Sequence, residues 1–328
     1  MTIVIPDHWH VPAAIKAARA GKHIMLAKPL GLSYPNFKIL EKEINANDVR
    51  FHYATQQRAM EHMQVGIRMI QEGQIGEIER VEVWAPGYNP VESPVCNEVP
   101  VPNDFDFEKW TGPAPLNSYC PERVTNNGSW FQYDYSIGFL GGWGAHPLDV
   151  MIWGAKEQLS GTYSCEGTGG FWAPGGIYDN IRAWNLNLEY DSGIKVHFVD
   201  ADYAAESGML NYRETKESNG TTFYGSKGWI SLSRGSVESD IPEIHKKLNG
   251  LSKNGSHFAQ MFVDIVKGNI AETNPLEDAI LSDCISHMGD IAIRTGRKIS
   301  WDPVAGKVIN DPEANQLFIR EMREPYTV

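Results

Sequence analysis

The first 60 residues set the strongest constraint on the fold, because short apolar runs there alternate with stretches at helical spacing, the pattern of a parallel sheet joined by crossover helices. Thr2 to Ile5 reads as a strand. Val11, Ala14, Ile15 and Ala18 then fall on one helix face, Gly21 supplies a stop, and His23 to Ala27 returns as a second strand, which completes a βαβ unit. Ser33 and Pro35 open a second helix with Phe37, Leu40 and Ile44 on one face, and Phe51 to Thr55 makes a third strand.

After Thr55 the pattern changes. A helix with Met63, Ile67 and Ile70 on one face ends near Gly73 and leads into segments of alternating polarity. Trp184, Leu186, Leu188 and Tyr190 alternate with Asn185, Asn187 and Glu189, and Asp191-Ser192-Gly193 turns the chain into Ile194, Val196 and Phe198. That is a hairpin with one buried face. An open, mostly antiparallel sheet is therefore expected, with helices on its other side that include Phe258 to Val266 and the stretch near Ile280 to Ile293. The fold class reads as α/β plus α+β, with residues 1–58 forming the smaller unit and 59–328 the larger.

Bulk properties narrow the function. The formal net charge is -12 over 328 residues and the Lys and Arg residues are scattered, which excludes the basic footprint of a nucleic-acid binder. Cys96, Cys120, Cys165 and Cys284 lie far apart without CxxC spacing and read as ordinary thiols rather than a disulfide framework or a zinc site. No apolar run reaches the roughly 18 residues needed to span a membrane, and the N-terminus shows no basic region followed by an apolar stretch. A cytoplasmic location is expected, with an upstream export signal left open.

Several residues could carry chemistry. Pro6-Asp7-His8-Trp9-His10 lies where the first strand meets its helix, the edge at which open α/β sheets hold ligands; Asp7 reads equally as an N-cap or a ligand contact. Lys28-Pro29 follows the second strand at the same edge, where an ammonium can stabilise a developing alkoxide or simply be solvated. Residues Gly141 to Asp149 (GGWGAHPLD) put a glycine-rich turn before a helix, with His146 in its first turn and Asp149 three residues on. A histidine there suits a general base, or else caps and packs; no third ligand accompanies His146 and Asp149, so no metal is expected. Arg123 and the aromatic residues Trp130, Phe131, Tyr133 and Tyr135 could stack on a sugar and bond its hydroxyls, or belong to a core. Gln56-Gln57-Arg58 again points to the sheet edge.

Five segments in order, PDHWHVPAAIKAARAGKHIMLAKPL, YATQQR, GGWGAHPLDV, GSKGWISLSR and ISWDP followed by NDPEAN, resemble the Gfo/Idh/MocA family of glucose-fructose oxidoreductase and inositol dehydrogenase, over nearly the whole chain. The resemblance implies a partial Rossmann-like domain over 1–58 and a substrate-binding and oligomerisation domain over 59–328. It implies that Lys28 and His146 are catalytic, that Asp7, His10 and Pro29 line the nicotinamide side of NAD or NADP, and that Arg58, Arg123, Tyr135, Trp143 and Asp149 meet a sugar or glycoside. Oxidation of a sugar or cyclitol hydroxyl by a dimer or tetramer is the implied activity.

This sequence departs from the family pattern at three places. It contains no GxGxxG phosphate turn, and the family's first strand, turn and helix are expected to be missing from its start; Gly167-Thr168-Gly169-Gly170 does not fit the fingerprint. Gly142 stands where the motif has an aspartate, and Ala27 where it has a glutamate. Three alternatives stay open: a truncated frame of a complete dehydrogenase, a cofactor-independent lyase or hydrolase on keto sugars, and a sugar-binding relative without catalysis that borrows a dinucleotide half from a partner through the exposed sheet edge.

Overall fold

The computed structural model describes residues 1–215 and 217–328. Its N-terminal part is a three-stranded parallel sheet in the order β1 (Thr2–Ile3), β2 (Ile24–Ala27), β3 (Phe51–Ala54). The crossovers are α1 (Asp7–Arg19) and α2 (Tyr34–Ala46), and the latter buries Phe37, Leu40 and Ile44, the face its spacing predicts. Gly21 (φ 64°) turns the chain out of α1. The first strand is shorter than expected: Val4 and Ile5 are exposed because Pro6 already turns the chain into α1. Ile24 pairs with Phe51 and Ala27 with Ala54, so Lys28 and Thr55 leave the sheet at one edge, beside the start of α1.

A helix α3 (Glu61–Gln71) leads into β4 (Ile78–Ala85) and a nine-stranded sheet. The remaining strands are β5 (Tyr163–Gly170), β6 (Ala183–Tyr190), β7 (Lys195–Asp200), β8 (Gly220–Gly225), β9 (Gly228–Leu232), β10 (Val237–Ser239), β11 (Ile299–Asp302) and β12 (Lys307–Val308). Their order is β10-β9-β8-β4-β7-β6-β5-β11-β12, and every neighbouring pair is antiparallel except β4 and β7. Trp184, Leu186, Leu188 and Tyr190 of β6 are buried while Asn187 and Glu189 face outward, as the alternation requires.

Two long helices cover the inner face of this sheet, α4 (Ala145–Leu159) and, beyond the short α5 (Phe258–Val266), α6 (Leu276–Thr295). The second is buried on almost all sides because it lies between the two sheets, against α2, α4, β3 and β5. One continuous apolar cluster accordingly runs from Ile3 and Leu26 through Leu148 and Ile285 to Trp301. The position expected for Phe258–Val266 is corrected: Phe258 and Met261 pack on Ala59, Met25 and Ala54, so this helix covers the small sheet rather than the large one.

A second correction concerns the cysteines. Cys96 and Cys120 form a disulfide with Cα atoms 5.5 Å apart, which ties the irregular segment after β4 to the loop ahead of Pro121. Only Cys165 and Cys284 are free thiols, both buried. A separation of 24 residues carries no pairing signal, and the contact exists because the segment after β4 runs alongside Tyr119, whose carbonyl accepts from the Val99 amide. No helix among the described residues is long and apolar enough to cross a membrane.

Non-reducing peptide mapping is expected to recover the Cys96–Cys120 peptide, with two thiols titrating after denaturation; four free thiols would overturn the bridge. Its reduction should lower stability by about 3 kcal/mol, the scale for closing a loop of this size. A pH dependence follows from His8 and His52, both buried and both pushed by desolvation down to about 4. Each is neutral when folded but takes a proton near its ordinary 6.5 when unfolded. Stability is therefore level above about pH 6.5 and falls as pH drops toward 4, by up to about 3 kcal/mol per histidine. His52 packs against Phe258 at 4.6 Å between ring centres, so His52→Phe should blunt that acid loss in a melting series; an unchanged acid limb would refute the assignment.

Candidate active site

The ends of β2 and the start of α4 meet in space. Lys28 follows β2, and its ammonium donates to the Gly142 carbonyl at 2.7 Å and lies 5.7 Å from the centre of the Trp143 indole. The imidazole of His146, in the first turn of α4, sits 5.9 Å from the same indole. Gly144 makes this approach feasible: a Cβ there would stand 2.0 Å from the Leu140 carbonyl oxygen and 2.8 Å from Phe198 of β7, so any side chain would push the turn off the sheet. At Gly142, by contrast, a Cβ would meet nothing within 4 Å.

The electrostatics of this group are those of a basic pocket. His146 is buried, its Nδ1 has no partner among the described residues, and burial followed by the positive Arg234 and Lys28 holds its pKa well below the usual range. It is therefore neutral at neutral pH. Burial also lowers Lys28, against the opposing pull of Asp7 and with the help of Arg234. Arg234, in the turn after β9, places its guanidinium carbon 5.8 Å from the Trp143 ring centre.

The remaining expected residues fall into three groups. Asp7, His10 and Pro29 lie together behind Lys28: Asp7 accepts from the Ser136 hydroxyl at 2.7 Å, and His10 Nδ1 is 2.6 Å from the Pro29 carbonyl. Asp7 occupies the first helical position without capping it, and burial raises its pKa. The loop that follows is held from α6, where the Asp283 carboxylate accepts from Leu30 N at 3.2 Å and Gly31 N at 3.4 Å, and His287 Nε2 meets the Gly31 carbonyl at 2.9 Å.

Arg58 and Asp149 are corrected from substrate contacts to partners of each other. The Asp149 carboxylate accepts from Arg58 Nε at 2.9 Å, Arg58 Nη2 at 2.6 Å and the Thr55 hydroxyl at 2.7 Å, and Arg58 Nη1 reaches Asp278 at 2.8 Å and the Thr273 carbonyl at 2.7 Å. Both are buried, at 2% and 1% exposure, with their charged groups taken up by one another and by Asp278.

Tyr135 is likewise withdrawn from the substrate surface, fully buried between His8 and Trp110 at ring distances of 5.1 and 4.9 Å. Arg123 hydrogen-bonds to Ser118 and Gln132 within its own loop, and nothing among the described residues joins it to the Lys28 group. Ser136, Asp283, His287 and Arg234 were missed by the sequence reading. Only Arg234 carried a signal, as the last residue of GSKGWISLSR.

Breaking the Arg58 cluster from one side should be costly. Asp149→Leu is expected to destabilise the fold by about 3 to 5 kcal/mol, the cost of a buried charge left alone, and Arg58→Met with Asp149→Leu together should cost less than Asp149→Leu alone. Denaturant melts decide this: a single variant within about 0.5 kcal/mol of the parent would show that the cluster is not structural. Among the described residues no group of three or more His, Cys, Asp or Glu side chains could hold a metal ion.

Comparison with solved structures supports the same arrangement of sheets. The dehydrogenase WlbA from Bordetella pertussis, in complex with NADH and UDP-GlcNAcA, superposes with TM-score 0.64 at 15% identity, over 92% of this chain and 78% of that one. The aldose-aldose oxidoreductase from Caulobacter crescentus, complexed with glycerol, gives 0.60 at 15%, over 92% and 78%. The scyllo-inositol dehydrogenase from Lactobacillus casei, with NAD(H) and scyllo-inositol, gives 0.58 at 14%, over 91% and 79%. A search of curated proteins returns no match. Residues 85–328 match the family described as oxidoreductase family, C-terminal alpha/beta domain, and on that match over well more than half of its length the chain belongs to the Gfo/Idh/MocA oxidoreductases.

Proposed function

We propose that this oxidoreductase transfers hydride from a hydroxyl-bearing carbon of a sugar or cyclitol to NAD or NADP, leaving a carbonyl there. The observation that carries this reading is the convergence of Lys28 and a neutral, buried His146 on Trp143. Trp143 offers the substrate ring an apolar platform. His146 removes the hydroxyl proton, and the Lys28 ammonium holds the oxygen as its charge develops. Nicotinamide, when bound, supplies the hydride acceptor. The relatives described above, bound to NADH or NAD(H) with a sugar nucleotide or an inositol, support the same class of chemistry.

The residues present fit the reacting end of such a cofactor and not its phosphate end. Asp7, His10 and Pro29 shape the wall behind Lys28 on the side assigned to nicotinamide. The start of α1 does not suit a pyrophosphate, because the buried Asp7 carboxyl, bonded to Ser136, occupies its first turn and the His8 amide already donates to the Tyr135 carbonyl. We accordingly assign residues 1–58 to a dinucleotide-binding unit and 59–328 to substrate binding and oligomerisation. The outer face of the large sheet, with Arg80, Glu82, Glu166, Lys195 and Lys298, is the proposed surface for a dimer or tetramer. The Cys96–Cys120 bridge favours an oxidising compartment over the cytoplasmic location expected from sequence.

Nucleotide released on denaturation and identified by mass spectrometry, together with titration by NADH, tests the cofactor. Reduction of NAD or NADP by a panel of sugars and cyclitols tests the reaction. His146→Ala should lower kcat by about 10²- to 10⁴-fold and Lys28→Met by a similar factor, with the fold intact by circular dichroism. A kcat undiminished by His146→Ala, or the absence of bound or saturable nucleotide, would sink the proposal.

A further inference from the structure

We propose that the substrate bears an anionic oxyacid group, a carboxylate, phosphate or sulfate, that is bound by Arg234 with the help of Lys28. The proposal rests on the assignment of this pocket to a sugar substrate and adds the charge that the sugar must carry.

Four observations converge. Arg234 and Lys28 both lie against the Trp143 indole, at 5.8 and 5.7 Å from its centre. Neither makes an ion pair with a carboxylate among the described residues: the Lys28 ammonium is held only by the neutral Gly142 carbonyl, and the Arg234 guanidinium makes no hydrogen bond there. The Nε of Arg234 is moreover buried without a partner, a state that costs free energy until an acceptor arrives. Finally, a Cβ at Gly142, whose carbonyl accepts from Lys28, would meet nothing within 4 Å, so there is open space next to the Lys28 contact.

The charge balance points the same way. Burial lowers Arg234 with no acidic group opposing it, and the only carboxylate that acts on Lys28, Asp7, is itself buried, bonded to Ser136 and pushed toward its neutral form. Two half-buried cations thus lie near one indole with no matched anion among the described residues. A neutral sugar would leave that repulsion in place. An oxyacid group removes it, and the planar guanidinium presents paired donors suited to its oxygens. Lys28 meanwhile keeps its contact with the reacting oxygen.

Calorimetric titration of the whole protein with D-glucuronate, D-glucose 6-phosphate and D-glucose tests the idea without requiring turnover. At least one anionic sugar should bind ten times more tightly than glucose, and the tighter of the two identifies the preferred oxyacid. Arg234→Gln should cut the anionic-to-neutral affinity ratio at least tenfold, and Arg234→Lys should restore part of it. Gly142→Asp places a carboxylate in the open space beside Lys28 and should lower the same ratio, with melting temperatures confirming that each variant folds. Equal affinities, no measurable binding by any of the three sugars, or a ratio indifferent to Arg234→Gln would overturn the inference. Anion preference without hydride transfer from any sugar would count against the redox reading alone, whereas oxidation of neutral sugars without anion preference would count against this inference alone.

Discussion

The buried pairing of Arg58 with Asp149 is the interaction on which the arrangement of the site depends. Arg58 lies just past β3, Asp149 in the first turns of α4 and Asp278 at the start of α6, so one guanidinium joins the small sheet to both long helices. Thr55, Thr273 and Asn274 complete its hydrogen bonding, with Asn274 Nδ2 donating to the Thr55 hydroxyl at 2.9 Å. Because a charge buried at this depth is tolerated only when its partners are in place, the cluster fixes α4 against β3 in one register. His146, three residues before Asp149 and on the same helix face, inherits that register.

Lys28 is fixed by a separate set of contacts on the other side. The loop after it is clasped by Asp283 and His287 from α6, and the helix in front of it is tied by the His10 contact to Pro29 and the Asp7 contact to Ser136. One helix, α6, thus anchors the surroundings of both Lys28 and His146, through Asp278 at its start and Asp283 further along. Its burial on nearly every side follows: it lies between the two sheets, and polar residues at its inward positions are tolerated because each is bonded.

Burial also sets the chemistry. A histidine enclosed beside two cations stays neutral, which is the form a base needs, and a lysine half removed from water is drawn toward its neutral form while keeping its donor to Gly142. Arg234, half-buried near the same indole, has no counter-charge among the described residues. A pocket of this kind selects by charge as well as by shape, since an uncompensated cation discriminates against a substrate that cannot pair with it.

Sequence alone determined the local elements and the positions of Lys28 and His146 along them. The 3.6-residue spacing of Phe37, Leu40 and Ile44, the alternation from Trp184 to Tyr190 and the turn at Gly193 each report a face that must be buried, and these follow from the period of the chain itself. Lys28 at a strand end and His146 in a first turn were legible for the same reason.

Tertiary structure alone decided which polar groups meet. Arg58 and Asp149 are 91 residues apart, Asp7 and Ser136 are 129 apart, and Asp283 finds the Leu30 amide across 253. Arg58 and Asp149 look like ligand contacts in the sequence and prove to be each other's ligands; Tyr135 looks like a stacking platform and is core; Cys96 and Cys120 look like unrelated thiols and are bonded. Periodicity reports whether a side chain faces inward, but the partner it meets there depends on how distant elements pack.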